Sequence, residues 1–234
     1  MKILALEFSS AQRSVAVLQS SGPKPAHAVA VPELESLPAH VNEIVETGPV
    51  GGNVLGMIDA VLNSASVQRE QIETLVIGLG PGSYSGIRRA IAVAQGWQLG
   101  CGHRQINLIG ISSVDCLAAE AHQAGFIGRF NVIIDAQRGE FYIATYESTP
   151  SDYFEIQPLR LAALEELHEL EGKDESFFGP DAARIPGGHL SFPRAANLAR
   201  LALGRSDFVP GEKLEPIYLR ETQFVKTQPV RKSA

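Results

Sequence analysis

The residues of this sequence that could do chemistry are few, and the most conspicuous of them lie in a glycine-rich segment. Residues 75–100 read LVIGLGPGSYSGIRRAIAVAQGWQLG, in which an apolar run precedes a loop and then a helical pattern. Gly80 and Gly82 permit backbone angles that a β-carbon forbids, and Ser83 or Ser85 can cap the helix. The first amides of such a helix can bind an anion. The segment is therefore compatible with a phosphate site and equally with a purely structural turn.

Known nucleotide-binding motifs do not fit this loop. The phosphate-binding motif GxxxxGK[ST] requires a lysine, and no lysine occurs between Arg69 and Lys173. The dinucleotide motif GxGxxG would require glycine at Ser83. Neither motif therefore supports a nucleotide site here.

Other catalytic or metal-binding patterns are also missing from the sequence. His168 lies in LHELEG, which is not the HExxH zinc motif, and the other histidines are widely separated. Asp135 and Arg138 flank a predicted hairpin turn, where charged residues more often bond the local backbone. We therefore expect no catalytic residue, no metal site and no bound cofactor, and the histidines argue against a metallopeptidase.

Two predicted helices carry small residues opposite their apolar faces. The helix after the glycine-rich loop places Ala92 and Gly96 there, flanked by Arg88 and Arg89. An earlier helix, capped by Asn53, has the same arrangement, so each of the two helices carries a stripe of small residues opposite its apolar face. A crowded monomer core would explain both stripes, but we favour a subunit interface. The predicted interface residues are Gly56, Met57, Ala60, Ser64, Arg88, Arg89, Ala92 and Gly96.

The remaining pattern alternates short strands with helices, which is typical of an α/β protein. Three strands are predicted in the first forty residues, at 3–8, 13–18 and 26–31, and the pattern 161–170 predicts a helix. The 33–52 segment contains Gly48-Pro49 and Gly51-Gly52, so a helix is predicted only after it.

Composition limits the possible function. The chain has 234 residues, 44% of them hydrophobic, enough for one large core or two smaller ones. The two cysteines do not have the spacing of a metal site. No segment resembling a signal peptide opens the chain, and no apolar run is long enough to span a bilayer. We therefore expect a cytoplasmic protein. The net charge is −6 and neither half is basic, so we expect nucleic acid to be bound weakly at most.

Four stretches give the sequence a recognisable family character. The segment GLGPGSYSGIRRAIAVAQGWQLG, the opening ILALEFSSAQRSVAVL, the middle VIIDAQRGEFYIATYE and the late EPIYLR together resemble the TsaB (YeaZ) family. These stretches occur in order over nearly the whole chain. The resemblance implies a part in making threonylcarbamoyladenosine in tRNA.

The family also implies a fold. It predicts the actin/sugar-kinase (ASKHA) fold, an actin-like ATPase domain of two lobes, each with a mixed sheet flanked by helices. We place the lobes at residues 1–109 and 110–234, with a tail from about 215 that can pack back on the first lobe. In this superfamily the first strand normally ends in an aspartate that handles magnesium and ATP, whereas Glu7 stands here. Family members usually begin a long helix near His40, where this sequence differs.

The resemblance further implies a non-catalytic scaffold that binds a TsaD-like catalytic paralogue. It also implies a TsaE-like ATPase in the same complex, a homodimer when alone, and contact with tRNA only through the complex. The alternative is a free-standing ATP-dependent small-molecule kinase of the same superfamily. The weak candidate cofactor-binding residues for that alternative are Glu7, Gly80, Gly82 and Ser83.

Overall fold

Two five-stranded mixed sheets form the framework of the chain in the computed structural model. The structure describes residues 1–21, 39–48, 53–102, 105–171 and 175–219. The strand predicted at 26–31 lies outside these described residues. The two sheets, each flanked by helices, confirm the predicted fold class.

The first sheet is built around a buried central strand. Its strands are β1 (Lys2–Glu7), β2 (Gln12–Ser20), β3 (Ala39–Thr47), β4 (Thr74–Gly78) and β5 (Asn107–Ile111). They lie in the order β3-β2-β1-β4-β5. β1 to β3 form an antiparallel meander, whereas β4 and β5 continue the sheet in parallel. The carboxyl ends of β1, β4 and β5 therefore meet at one edge, where the glycine-rich loop begins.

Helices cover both faces of this sheet. Helices α1 (Val54–Ser64) and α2 (Tyr84–Gly100) contribute to the core on one face, which contains Leu4 and Leu6 of β1. Ile3 and Ala5 point to the opposite face, where a short helix introduced below packs. This alternation along β1 is what a strand buried on both sides requires.

The second sheet follows the same plan. Its strands are β6 (Gly128–Gln137), β7 (Glu140–Ser148), β8 (Tyr153–Ala163), β9 (Ser176–Gly179) and β10 (His189–Leu190), in the order β10-β9-β6-β7-β8. Helix α3 (Ser113–Gln123) packs on one face and α4 (Leu164–Glu171) on the other. Helix α5 (Ala195–Leu201) returns to the first sheet and covers its second face.

Local signals placed several helix starts correctly. Asn53, Ser83 and Ser112 each accept a hydrogen bond from a first-turn amide of the following helix, so Ser83 rather than Ser85 is the cap of α2. Two details differ from expectation. β3 was not predicted, and residues 161–163 continue β8 because they pair with 140–142, so helix α4 begins only at Leu164.

The chain after α5 contacts the first lobe again. Leu214 is buried in the core beneath α1 and α2, and the Ile217 amide donates a 2.9 Å hydrogen bond to the Leu79 carbonyl. The division at residue 109 stays a prediction, although β5 continues through Ile111 as part of the first sheet. Among the described residues, no helix combines the length and apolar character needed to cross a membrane.

Candidate functional site

Glu7 ends β1 at the junction of the two lobes and is completely buried. Its Oε1 accepts a 2.7 Å hydrogen bond from the Ser9 amide, and its Oε2 accepts a 2.8 Å hydrogen bond from the Ser113 hydroxyl. Burial raises the pKa of Glu7, and the hydrogen bonds from Ser9 and Ser113 oppose that rise. The carboxyl group is thus fully engaged within the chain.

Ser113 connects this carboxyl group to the glycine-rich loop. Its Oγ accepts a 3.1 Å hydrogen bond from the Gly80 amide while donating to Glu7. Ser113 lies directly after Ser112, the cap of α3. The paired serines at the end of β5 were the available signal, but their partner lies 106 residues away.

The glycines let the loop lie directly against the turn after β1. A Cβ on Gly82 would overlap the Ser9 carbonyl oxygen, and one on Gly86 would overlap the Phe8 carbonyl oxygen. Gly82 also has φ +142°, a backbone conformation that side chains disfavour. The close approach is completed by a 2.6 Å hydrogen bond from the Ser83 amide to the Ser9 carbonyl.

The structure therefore brings the four candidate cofactor-binding residues together, but their polar groups bind other groups of the same chain. The Gly80 amide binds Ser113, the Ser83 amide binds Ser9, and the Gly86 amide binds the Ser83 hydroxyl. These bonds occupy amides that an anion would need. The geometry favours the structural interpretation of the loop, and a cofactor role for Glu7, Gly80, Gly82 and Ser83 stays a prediction.

Two further groups that could do chemistry also have structural partners. The Cys116 thiol is buried. Its burial and, to a smaller extent, the nearby Glu7 carboxyl group raise the pKa of this thiol well above the ordinary value, which makes the thiol a poor nucleophile. Asp135 accepts hydrogen bonds from the Gln137 amide and from Arg184, while Arg138 is exposed. Within the described ranges, no three His, Cys, Asp or Glu side chains are grouped to hold a metal ion.

The outer side of α2 is a different kind of surface. Ala92 and Gly96 are exposed there beside Leu99, whose side chain is 84% exposed, and a Cβ on Gly96 would meet no atom within 4 Å. The Arg88 guanidinium lies 5.4 Å from the Tyr84 ring centre. Together with Tyr218, which contacts Tyr84 edge to face at 6.2 Å, these residues form a continuous surface. We call it the α2 docking face: Tyr84, Arg88, Ala92, Gly96, Leu99 and Tyr218.

Helix α1 presents its small residues on another side. Ala60 and Ser64 are exposed and Gly56 is partly exposed, so the stripe does not belong to the monomer core. Met57 was predicted to join this surface, but that prediction is wrong. Its side chain is only 2% exposed and packs in the core, because it lies on the flank of α1 that meets the sheet.

The two stripes lie on neighbouring helices. Arg69 pairs with Asp59 of α1 and also lies 5.8 Å from the Trp97 ring of α2, so the Asp59 flank of α1 faces α2. The small residues Gly56, Ala60 and Ser64 are turned away from Asp59 around the axis of α1. Arg89, the remaining predicted interface residue, is partly buried. An interface that includes both stripes stays a prediction.

Comparison with known proteins gives this geometry a family context. The family model described as TsaD, tRNA N6-adenosine threonylcarbamoyltransferase, matches residues 52–199. The tRNA threonylcarbamoyladenosine biosynthesis protein TsaB of Haemophilus influenzae is 26% identical over 99% of this chain and 98% of its own length. Its counterpart in Escherichia coli is 26% identical over 75% of this chain and 83% of its own length.

Solved structures agree on the fold. YeaZ from Pseudomonas aeruginosa superposes with a TM-score of 0.74 at 22% identity, covering 93% of this chain and 99% of its own. A second structure, described as an uncharacterized protein with similarity to peptidase YeaZ from Pseudomonas aeruginosa, gives the same TM-score at 23% identity, covering 94% and 99%. The match spanning 52–199 and the full-length relatives lead to one conclusion: the chain belongs to the TsaB (YeaZ) family, a branch of the TsaD-like proteins with the two-lobe actin-like (ASKHA) fold.

Proposed function

We propose that this chain is a non-catalytic scaffold in the biosynthesis of threonylcarbamoyladenosine in tRNA, where it binds and organises a TsaD-like catalytic subunit. The observation that carries the proposal is the exposed α2 docking face. A helix surface with small residues at its centre lets a second helix approach closely, and the Leu99 side chain remains in water until a partner covers it.

The composition of this face supports a protein partner. Arginine and tyrosine are enriched among the residues that contribute most to binding at interfaces, and Tyr84, Arg88 and Tyr218 lie beside the small-residue stripe. Tyr84 is 53% exposed and rests on a helix that is firmly packed against the first sheet. The face is thus preorganised, which lowers the entropic cost of association.

The interior of the junction supports the non-catalytic part of the proposal. The carboxyl group that a nucleotide-handling relative would direct at magnesium is buried here and bonded to Ser9 and Ser113. The named relatives are biosynthesis proteins rather than kinases, so the kinase alternative is not favoured. In our account ATP and metal belong to partners.

The remaining parts of the proposal follow from the family and the charge. We place a TsaE-like ATPase in the same complex, a homodimer when the chain is alone, and the cytoplasm as the location. Contact with tRNA would occur through the complex, because the chain carries a net charge of −6.

Co-purification tests the proposal. The chain is expressed with the TsaD-like protein encoded in the same genome, and threonylcarbamoyladenosine formation is measured with the chain present and absent. A stable complex, with modification that requires the chain, supports the scaffold. A chain that does not associate, or a TsaD-like protein that modifies tRNA equally well without it, would contradict it.

A further inference from the structure

The Glu7 carboxyl group holds both ends of the loop that leads into α2. Its Oε1 accepts a 2.7 Å hydrogen bond from the Ser9 amide, and the Ser9 carbonyl accepts one of 2.6 Å from the Ser83 amide. Its Oε2 accepts a 2.8 Å hydrogen bond from the Ser113 hydroxyl, whose oxygen accepts one of 3.1 Å from the Gly80 amide. One carboxyl group therefore fixes Gly80 through one oxygen and Ser83 through the other.

The Gly80 end of this loop is held at two points by the second lobe. The Gly80 amide donates to the Ser113 hydroxyl oxygen, and the Gly80 carbonyl accepts a 2.8 Å hydrogen bond from the Ser113 amide. Ser113 and Glu7 are both completely buried. A buried polar group that loses its partner is not compensated by solvent, so each bond of this network constrains the others.

The two aromatic rings of the α2 docking face are attached to the same loop. Tyr84 is the first residue of α2 and follows Ser83 directly. Tyr218 follows Ile217, whose amide donates a 2.9 Å hydrogen bond to the carbonyl of Leu79 at the start of the loop. The rings of Tyr84 and Tyr218 contact each other at 6.2 Å. Their arrangement therefore depends on the conformation of the chain between Leu79 and Ser83.

The length of the glutamate side chain suits this arrangement. Glu7 lies on β1, which pairs with a strand on each side, so the carboxyl group starts from a fixed backbone. Gly78 leaves room for it, because a Cβ on Gly78 would overlap Glu7 Oε2. An aspartate at position 7 is one methylene group shorter. It could still accept from the nearby Ser9 amide, but it would leave the Ser113 hydroxyl out of reach.

We propose that Glu7 and Ser113 are positioning residues of the α2 docking face, which fix Tyr84 and Tyr218 for the partner without contacting it. Because Ser113 belongs to the second lobe, binding at a first-lobe surface then depends on the contact between the two lobes. The inference rests on the proposed function, since the partner at this face is the TsaD-like protein. It gives the buried Glu7 carboxyl group a role that requires no nucleotide.

Titration calorimetry of the full chain with the TsaD-like protein tests this role. Ser113→Ala removes the hydroxyl between Glu7 and Gly80 and should weaken binding at least about tenfold, because only a fraction of the molecules then presents the face correctly. Glu7→Asp should weaken binding similarly. Ser148→Ala is the matched control, since Ser148 is a serine of the second lobe, 1% exposed, whose Oγ is hydrogen-bonded to His122 Nδ1 at 2.8 Å. It should bind like the wild type.

Amide hydrogen exchange separates positioning from a general loss of stability. In Ser113→Ala, exchange at Gly80 and Ser83 should accelerate by a factor at least about tenfold larger than exchange in β4. An equal factor at both places overturns the positioning role. So does a folded Ser113→Ala variant that binds the TsaD-like protein as tightly as the wild type, and the scaffold then still stands. A wild-type chain that does not bind overturns the scaffold instead, and the exchange rates still decide whether the network fixes the loop.

Discussion

The Ser113 hydroxyl donates a 2.8 Å hydrogen bond to the Glu7 carboxyl group across 106 residues of sequence. This bond joins the first strand of one lobe to helix α3 of the other and fills the position where a nucleotide-handling carboxyl group would otherwise be free. The junction of the lobes is therefore an internal hydrogen-bond network, in which both oxygens of the Glu7 carboxyl group accept hydrogen bonds from within the chain.

The buried Glu7 carboxyl group should make stability depend on pH. Its pKa is raised above the ordinary value of 4.5, so between 4.5 and the higher native pKa the folded state binds more proton than the unfolded chain. The free energy of unfolding relative to the Glu7→Gln variant should accordingly fall as pH rises above 4.5. Urea denaturation followed by the fluorescence of Trp97, the single tryptophan, measures both proteins. A difference that is constant with pH would contradict this role of Glu7.

Two glycine-to-alanine substitutions should have opposite effects. Gly82→Ala places a methyl group against the Ser9 carbonyl oxygen at φ +142° and should destabilise the fold by about 2 kcal/mol or more. Gly96→Ala adds a methyl group in open space within α2 and should stabilise it by about 0.5–1 kcal/mol. Urea denaturation of both variants provides the comparison. Equal effects would show that the close contact between the loop and the β1–β2 turn is not required.

The sequence predicted the parts of the fold that depend on local signals. Caps at Asn53 and Ser83 and the alternation in β1 are local features, and the structure has them. β3 was missed because its apolar alternation is interrupted by Glu43, whose partner Arg194 lies 151 residues away. No local pattern indicates such a partner.

The candidate site was only partly predictable for the same reason. Glu7 and the glycine loop were recognised, but Ser113 was not, since their contact depends on how the lobes meet. Met57 was misplaced because it lies at the border of the apolar face of α1, where a small rotation of the helix decides burial. The sequence left two explanations for the small residues, a crowded monomer core and an interface, and the exposure of Ala60, Ala92 and Gly96 argues against the core.

The isolated chain should neither hydrolyse ATP nor phosphorylate sugars above background. Glu7 replaces the expected aspartate, and its oxygens are bonded to Ser9 and Ser113 rather than available for magnesium. Phosphate release and coupled sugar-kinase assays at saturating ATP and magnesium measure both activities. A turnover that Glu7→Ala abolishes would establish the kinase alternative instead.

The isolated chain should bind tRNA weakly and without sequence preference. Residues up to Gly110 carry 7 Lys and Arg against 8 Asp and Glu, and the remainder carries 13 against 18, so neither half neutralises phosphate well. Fluorescence anisotropy with labelled tRNA at physiological salt measures the affinity. Submicromolar binding by the chain alone would contradict the assignment of tRNA contact to the complex.

The most direct measurement of the scaffold account is the affinity of the TsaD-like protein for α2 variants, obtained by isothermal titration calorimetry. Ala92→Arg should fold normally, because Ala92 is exposed, yet lose TsaD binding, because a long charged side chain cannot enter a close helix contact without desolvation. Ala124→Arg, at an exposed alanine of the second lobe, should bind like the wild type, whereas Ile91→Arg should unfold the chain because Ile91 is in the core. A folded Ala92→Arg variant that binds the TsaD-like protein as tightly as the wild type would contradict the account.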